Sequence, residues 1–220
     1  MALRFVLISL LACVLQAADS KTINNPLRSP DALTRRGAPL SSAKWKGRDA
    51  VRFVDERGSS ETAVFKILTF HNGTIEVDVA AQPAAGAPEG SRGFAGLAFR
   101  LKDERTYEAF YLRPTNGRAD DQLRRNHSTQ YISEPEWPWQ KLRQEMPGVY
   151  ESYVDLEPSV WTHMKIVVKG SRAELFVGGA AQPCLIVKDL KKGDSDGSLA
   201  LWIGQGTEAY FSNFKVTPAP

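Results

Sequence analysis

Two hundred and twenty residues, 42% hydrophobic and 10% aromatic, supply the core of one domain, and an all-β sandwich of this length needs no second one. A formal charge of +3, from 28 basic and 25 acidic residues spread along the chain, leaves no basic stripe of the kind nucleic-acid binding needs. Three histidines with no pair at metal spacing, and no Gly-x-Ser-x-Gly, argue against a zinc site and a serine triad, so no cofactor and no metal is expected.

Residues 1–18 read as a signal peptide. Arg4 supplies the positive start, Phe5 to Leu15 is an apolar run too short to span a bilayer, and Ala17 and Ala18 offer small residues for cleavage. The mature chain is therefore expected to be exported, to the periplasm or beyond the cell, with 27 basic and 25 acidic residues and a charge of +2. No later stretch is long and apolar enough to cross a membrane. Leu10-Leu11-Ala12-Cys13 also resembles a bacterial lipobox, which would make Cys13 a lipid anchor; the ordinary peptide is preferred because the apolar run continues to Leu15. Cys184 is the only other cysteine, so no internal disulfide is expected after cleavage, and its apolar neighbours suggest a buried thiol.

Residues 19–42 are polar and contain Pro26, Pro30 and Pro39, and read as a leader that lies over the domain or stays mobile. The domain is expected over 43–220, with folded structure starting near Trp45. Strand signals follow at Val51–Val54, Thr62–Phe70, Thr74–Ala80, Gly93–Leu101, Tyr107–Arg113, Thr162–Lys169, Ala173–Val177, Leu185–Val187, Ser198–Ile203 and Ala209–Val216. Turn residues separate them at Asn72-Gly73, Gly170-Ser171, Gly178-Gly179 and Asp194-Ser-Asp-Gly197. The last of these looks like part of a calcium loop, but an EF-hand places Glu at its twelfth position, where Gln205 stands. Trp137–Met146 is the one candidate helix. In the last strand Tyr210, Ser212, Phe214 and Val216 fall on one face, and Trp45, Trp161 and Trp202 read as core. Short strands without alternating helices predict an antiparallel β-sandwich or jelly roll.

Strand period places Ile75, Val77 and Val79 on the core face of their strand and Glu76 and Asp78 on the other. Glycoside hydrolysis needs two carboxyl groups flanking the bond, about 5 Å apart for retention or about 6.5–9.5 Å for inversion. The strand resembles the catalytic strand of family 16 glycoside hydrolases, Glu-x-Asp followed two or three residues later by a second Glu; here those positions hold Ala80 and Ala81. The same alternation puts Phe110 and Leu112 on the core side of their strand and Tyr111 and Arg113 on the far side, near Arg100 if the two strands are neighbours.

Several stretches in order, "GLAFRLKDERTYEAFYLRP", a "QY" pair, a Trp-Gln pair, "WTHMKIVVKG" and "AYFSNFKV", resemble the concanavalin A-like lectin/glucanase superfamily over about Thr62 to Val216, and bacterial exported domains of the 3-keto-disaccharide hydrolase or family 16-like type in particular. The resemblance implies a concanavalin A-like jelly roll with a sugar-related role.

Sugars are held by aromatic rings under their C–H faces and by planar donors. On that chemistry the expected surface comprises Tyr111, Arg113, Asn116, Arg118, Tyr131, Trp137, Trp139 and Gln140, and the expected partner is a carbohydrate. Two other readings stand beside carbohydrate binding: a glycan-processing hydrolase using Glu76, Asp78, Glu108 or Asp120, and a structural or protein-interaction module. The oligomeric state is left open.

Overall fold

A computed structural model describes residues 21–35, 38–55 and 58–219. The segment expected to be a signal peptide, with Cys13, lies outside the described residues. In chain order the strands are β1 (Ile23–Asn25), β2 (Leu33–Arg35), β3 (Leu40–Trp45), β4 (Arg48–Val54), β5 (Glu61–Phe70), β6 (Gly73–Pro83), β7 (Ala95–Leu101) and β8 (Tyr107–Leu112). They continue with β9 (Thr129–Glu134), β10 (Glu151–Ser152), β11 (Thr162–Lys169), β12 (Arg172–Val177), β13 (Leu185–Val187), β14 (Gly197–Ile203) and β15 (Thr207–Pro218). Two short helices, α1 (Gln122–Asn126) and α2 (Trp139–Glu145), flank β9.

The strands form two antiparallel sheets. One runs β13-β12-β11-β6-β15-β4-β3, with β1 also paired to β15; the other runs β10-β9-β8-β7-β14-β5-β2. The ten strands expected from the sequence are all present. The segment expected to be a leader carries β1, β2 and the start of β3: β1 pairs with Phe214–Val216, β2 with Ala63–Phe65, and β3 with β4, so ordered structure begins well before Trp45. Edge strands need only a backbone to pair, so a polar, proline-interrupted sequence can supply them without an apolar alternation to announce them.

Inward residues of both sheets build one core, with Ile75, Val77 and Val79 of β6 facing Leu97, Phe99 and Phe110 of the other sheet's strands as members of a single buried cluster. The alternation expected for β6 and β8 holds. In β15 it breaks: Asn213 has φ 52° and the register to β6 shifts between Ser212 and Lys215. The extra residue lets Phe211, Phe214 and Val216 all point inward, while Tyr210 turns out to stack on Trp45 at 4.3 Å. Trp45 and Trp161 are therefore not part of the main core; they pack with Ala50, Ala80 and Tyr210 in a small cluster on the outer side of the first sheet. Cys184 is half-buried, bonds its Sγ to the Leu175 carbonyl, and has its thiol pushed up to about 11 by burial.

Candidate functional site

The outer face of the second sheet carries the groove. Registers place Trp202, Gly96, Tyr111 and Gln130 in one row across β14, β7, β8 and β9, with Ala200, Ala98, Ala109 and Ile132 in the next. Gly96 has no side chain between its two aromatic neighbours, so Tyr111 and Trp202 stack over it with centroids 4.6 Å apart. A Cβ there would also meet the Phe110 carbonyl oxygen at 2.0 Å. The alanine row keeps the floor low. Phe94 meets Tyr111 edge-on at 6.1 Å, and Trp202 donates its Nε1–H to the Tyr107 hydroxyl at 3.1 Å. Burial drives the Tyr107 hydroxyl up to about 12, which keeps it neutral.

A pocket of about 460 Å³ opens above this floor, with Tyr111, Trp202, Phe94 and Ile132 below, Trp139 and Gln140 on one wall, and Glu134 as its lining carboxylate. Burial holds the Glu134 carboxyl above its ordinary value, more than Lys192 lowers it. Trp139 and Phe94 also border a second pocket of about 430 Å³, so the two adjoin along these rings.

The second pocket is lined by Arg92, Arg113, Arg124 and Arg143, with Asn116 and His127. Arg113 is buried and oriented by three oxygens: its Nη2 donates to the Tyr111 hydroxyl and to Gln130 Oε1, both at 3.0 Å, and its Nη1 to the His127 carbonyl at 3.1 Å. Asn116 donates to that same carbonyl at 3.0 Å and accepts from Arg124 Nε at 3.0 Å. Glu151, behind the pocket, takes Arg143 at 2.7 Å, lies 2.8 Å from His127 Nδ1, and is 3.8 Å from Arg113. Burial first, then Arg143 and Arg113, lower the His127 pKa against the pull of Glu151, so the ring is neutral near pH 7. Arg143 and Arg113 also sit 4.7 and 5.8 Å from the Trp139 ring centre.

Of the eight residues expected from the sequence, Tyr111, Trp139 and Gln140 line the first pocket, and Arg113, Asn116 and again Trp139 the second. Three lie elsewhere. Tyr131 is fully buried on the core side of β9, where its hydroxyl donates to Glu108, because the outward phase of that strand belongs to Gln130, Ile132 and Glu134. Trp137 packs against the core with Lys141 and Lys191 over its ring at 4.0 and 4.8 Å. Arg118 is exposed and paired with Asp155 and Glu157. Sequence reasoning missed Trp202, Phe94, Glu134, Arg92, Arg124 and Arg143. For Trp202 there was a signal: Ser198, Ala200 and Trp202 alternate with Leu199, Leu201 and Ile203, marking a second, less apolar face.

Arg100 is not near Arg113 although β7 and β8 are neighbours. It is wholly buried at the other end of the sheet, against Glu108 at 3.3 Å and the Gly170 carbonyl at 2.6 Å. Glu108 is thereby removed from the acid–base candidates. Glu76 and Asp78 lie on the outer face of the first sheet: His163 Nδ1 is 2.8 Å from Asp78, Lys215 is 2.9 Å from Glu76, and Arg48 is 2.7 Å from Asp78. Asp120 is exposed in a turn. None of the four lines the groove. In the calcium-like turn, Asp194 meets His71 at 2.6 Å and Asp196 meets Lys102 at 2.7 Å.

Two antiparallel sheets packed in this order define a β-sandwich of the concanavalin A-like jelly-roll fold. The carbohydrate binding module CBM66 from Bacillus subtilis has this fold, at 14% identity, with 88% of this chain and 98% of that one covered and a TM-score of 0.59. So do the carbohydrate recognition domain of Emp47p, at 10% identity, 95% and 100% coverage and a TM-score of 0.55, and the exoplasmic/lumenal domain of VIP36, solved with Ca2+ and Man3GlcNAc, at 9% identity, 86% and 84% coverage and 0.54. At these identities the likeness is one of fold. No protein-family model matches the sequence, and a comparison with curated proteins found no match.

Proposed function

We propose that this is an exported carbohydrate-binding domain whose ligand lies in the groove formed by Tyr111, Trp202, Phe94, Trp139 and Gln140 and continues towards Arg113 and Asn116. The observation that carries the reading is the aromatic floor joined to buried, pre-oriented planar donors, the combination that sugar rings and hydroxyls need. The solved sandwiches named for carbohydrate recognition support it. Among the described residues no helix is long and apolar enough to cross a membrane. The test is a glycan array and an oligosaccharide panel probed with the mature chain, read for retention and for new reducing ends. Retention without cleavage is the expected result; absence of retention on every glycan overturns the proposal.

The narrower resemblance, to 3-keto-disaccharide hydrolases and family 16 enzymes, belongs to a second reading in which the domain cleaves its ligand. Glu134 favours it, since a carboxyl held above its ordinary value in a pocket suits a general acid. Its weakness is the partner: no second carboxylate lines that pocket among the described residues, and a glycosidase of the usual kind needs two. New reducing ends that vanish in Glu134→Gln would establish it.

A further inference from the structure

The second pocket has more positive charge than its surroundings neutralise. Arg92 bonds only the carbonyl oxygens of Glu89 and Ser91, and Arg124 the side-chain oxygens of Asn116 and Thr115 and the Thr115 carbonyl. Neither forms an ion pair with a carboxylate among the described residues. Glu151 is shared between Arg143 and Arg113, with His127 beside it, and Asp121 is exposed and caps α1 through the backbone N–H of Arg124. Four guanidinium groups thus line a cavity of about 430 Å³ whose one lining carboxylate is Asp121, with Glu151 behind it. Arg92 shows the strain of it: burial, then Arg124 and Arg113, pull its guanidinium below the ordinary value, while Glu89 only partly offsets them.

Like charges around one cavity, with Arg92 and Arg124 fixed by neutral oxygens alone, are stabilised by an oxyanion that arginine forks grip in two-point fashion. The pocket adjoins the aromatic floor along Phe94 and Trp139. We propose that the second pocket takes the anionic group of an acidic saccharide, a carboxylate or a sulfate ester, while the sugar rings lie along the first. This rests on the carbohydrate reading and narrows its ligand class.

The experiment is calorimetric titration of the mature chain with an oligogalacturonate, a sulfated oligosaccharide and an uncharged oligosaccharide of equal length, at low and at raised salt. One acidic series is expected to bind about tenfold or more tightly than the uncharged one, with affinity that falls as salt rises. Which series binds tells carboxylate from sulfate. Arg92→Gln and Arg124→Gln should each weaken that series about tenfold, with Arg92→Lys recovering part of the loss. Arg124 also holds the Thr115–Asn116 turn, so Arg92→Gln carries the test if Arg124→Gln fails to fold. If the uncharged series binds as well and both variants bind like the parent, the anion site is overturned and carbohydrate binding stands. Equal loss in Arg118→Gln, off the groove, would reduce the effect to general attraction and overturn the site too. No binding in any series overturns both.

Discussion

Arg100 and Arg113 are both buried in the second sheet, one at the end of β7 and the other just after β8, and each is held by carbonyl or side-chain oxygens. They differ in what answers their charge. Arg100 faces Glu108, a carboxylate that also accepts from Tyr131 and from the backbone N–H of Lys192, so the pair closes its end of the sandwich. Arg113 is 3.8 Å from Glu151, which Arg143 has already engaged more closely. A buried arginine with its own counter-ion is a fastener; one competing for a shared counter-ion leaves positive potential in a cavity. Equal burial thus yields a closed ion pair at one end of the sheet and unanswered positive charge at the other.

The largest effect should come from the fastened end. Glu108→Gln leaves the Arg100 charge buried without its partner and should cost about 3–5 kcal/mol in denaturant unfolding, leaving the ligand affinity of the folded fraction unchanged. A loss below about 1 kcal/mol would place Arg100 and Arg113 in one class after all. At the open end, Trp139→Ala should lower saccharide affinity about tenfold, whereas Trp137→Ala should leave it unchanged, since Trp137 lines neither pocket. Surface plasmon resonance on the two variants decides it; equal losses would move the ligand off the groove.

Smaller effects concern the outer carboxylates. Burial pushes Glu76 up, but Lys215 and His163 outweigh it and leave its carboxyl below the ordinary value. Its contribution is therefore present at neutral pH and lost as pH falls through the folded value below about 4.5. Glu76→Gln should cost about 1 kcal/mol or less at pH 7, nothing in strong acid, and no binding. Glu134 has the opposite sign. Its folded carboxyl ionises above the unfolded value of 4.5, so Glu134→Gln should slightly stabilise the chain at pH 7, with the gain fading as pH drops through that value. Urea midpoints at neutral and acid pH test both, and a Glu134→Gln variant less stable at pH 7 would refute the burial argument.

The main strands were legible because their inward faces are apolar at period two, as in Ile75, Val77 and Val79, and turn residues bound them. β1 to β3 were not, since edge strands need no such face. β9 was missed for the reverse reason: Thr129 to Ser133 is buried on both faces, so no alternation of polarity marks it. In the site, Tyr111 and Arg113 followed from strand phase, and Trp139 and Gln140 from composition. Tyr131 failed on a phase that only the register of β9 against β8 determines. The arginine cluster was beyond reach, because Arg92, Arg113, Arg124 and Arg143 come from four segments that only tertiary packing brings together.

The connection from Pro135 to Tyr150 supplies Trp139 to both pockets, Gln140 to the first and Arg143 to the second, while its Trp137, Leu142 and Tyr150 pack on the core. The floor is sheet, and this wall is a connection pinned to it at three apolar points. Exchanging only its outward residues, with those three anchors kept, would reshape the wall while the sandwich beneath kept its register, so this wall can vary at little cost to folding.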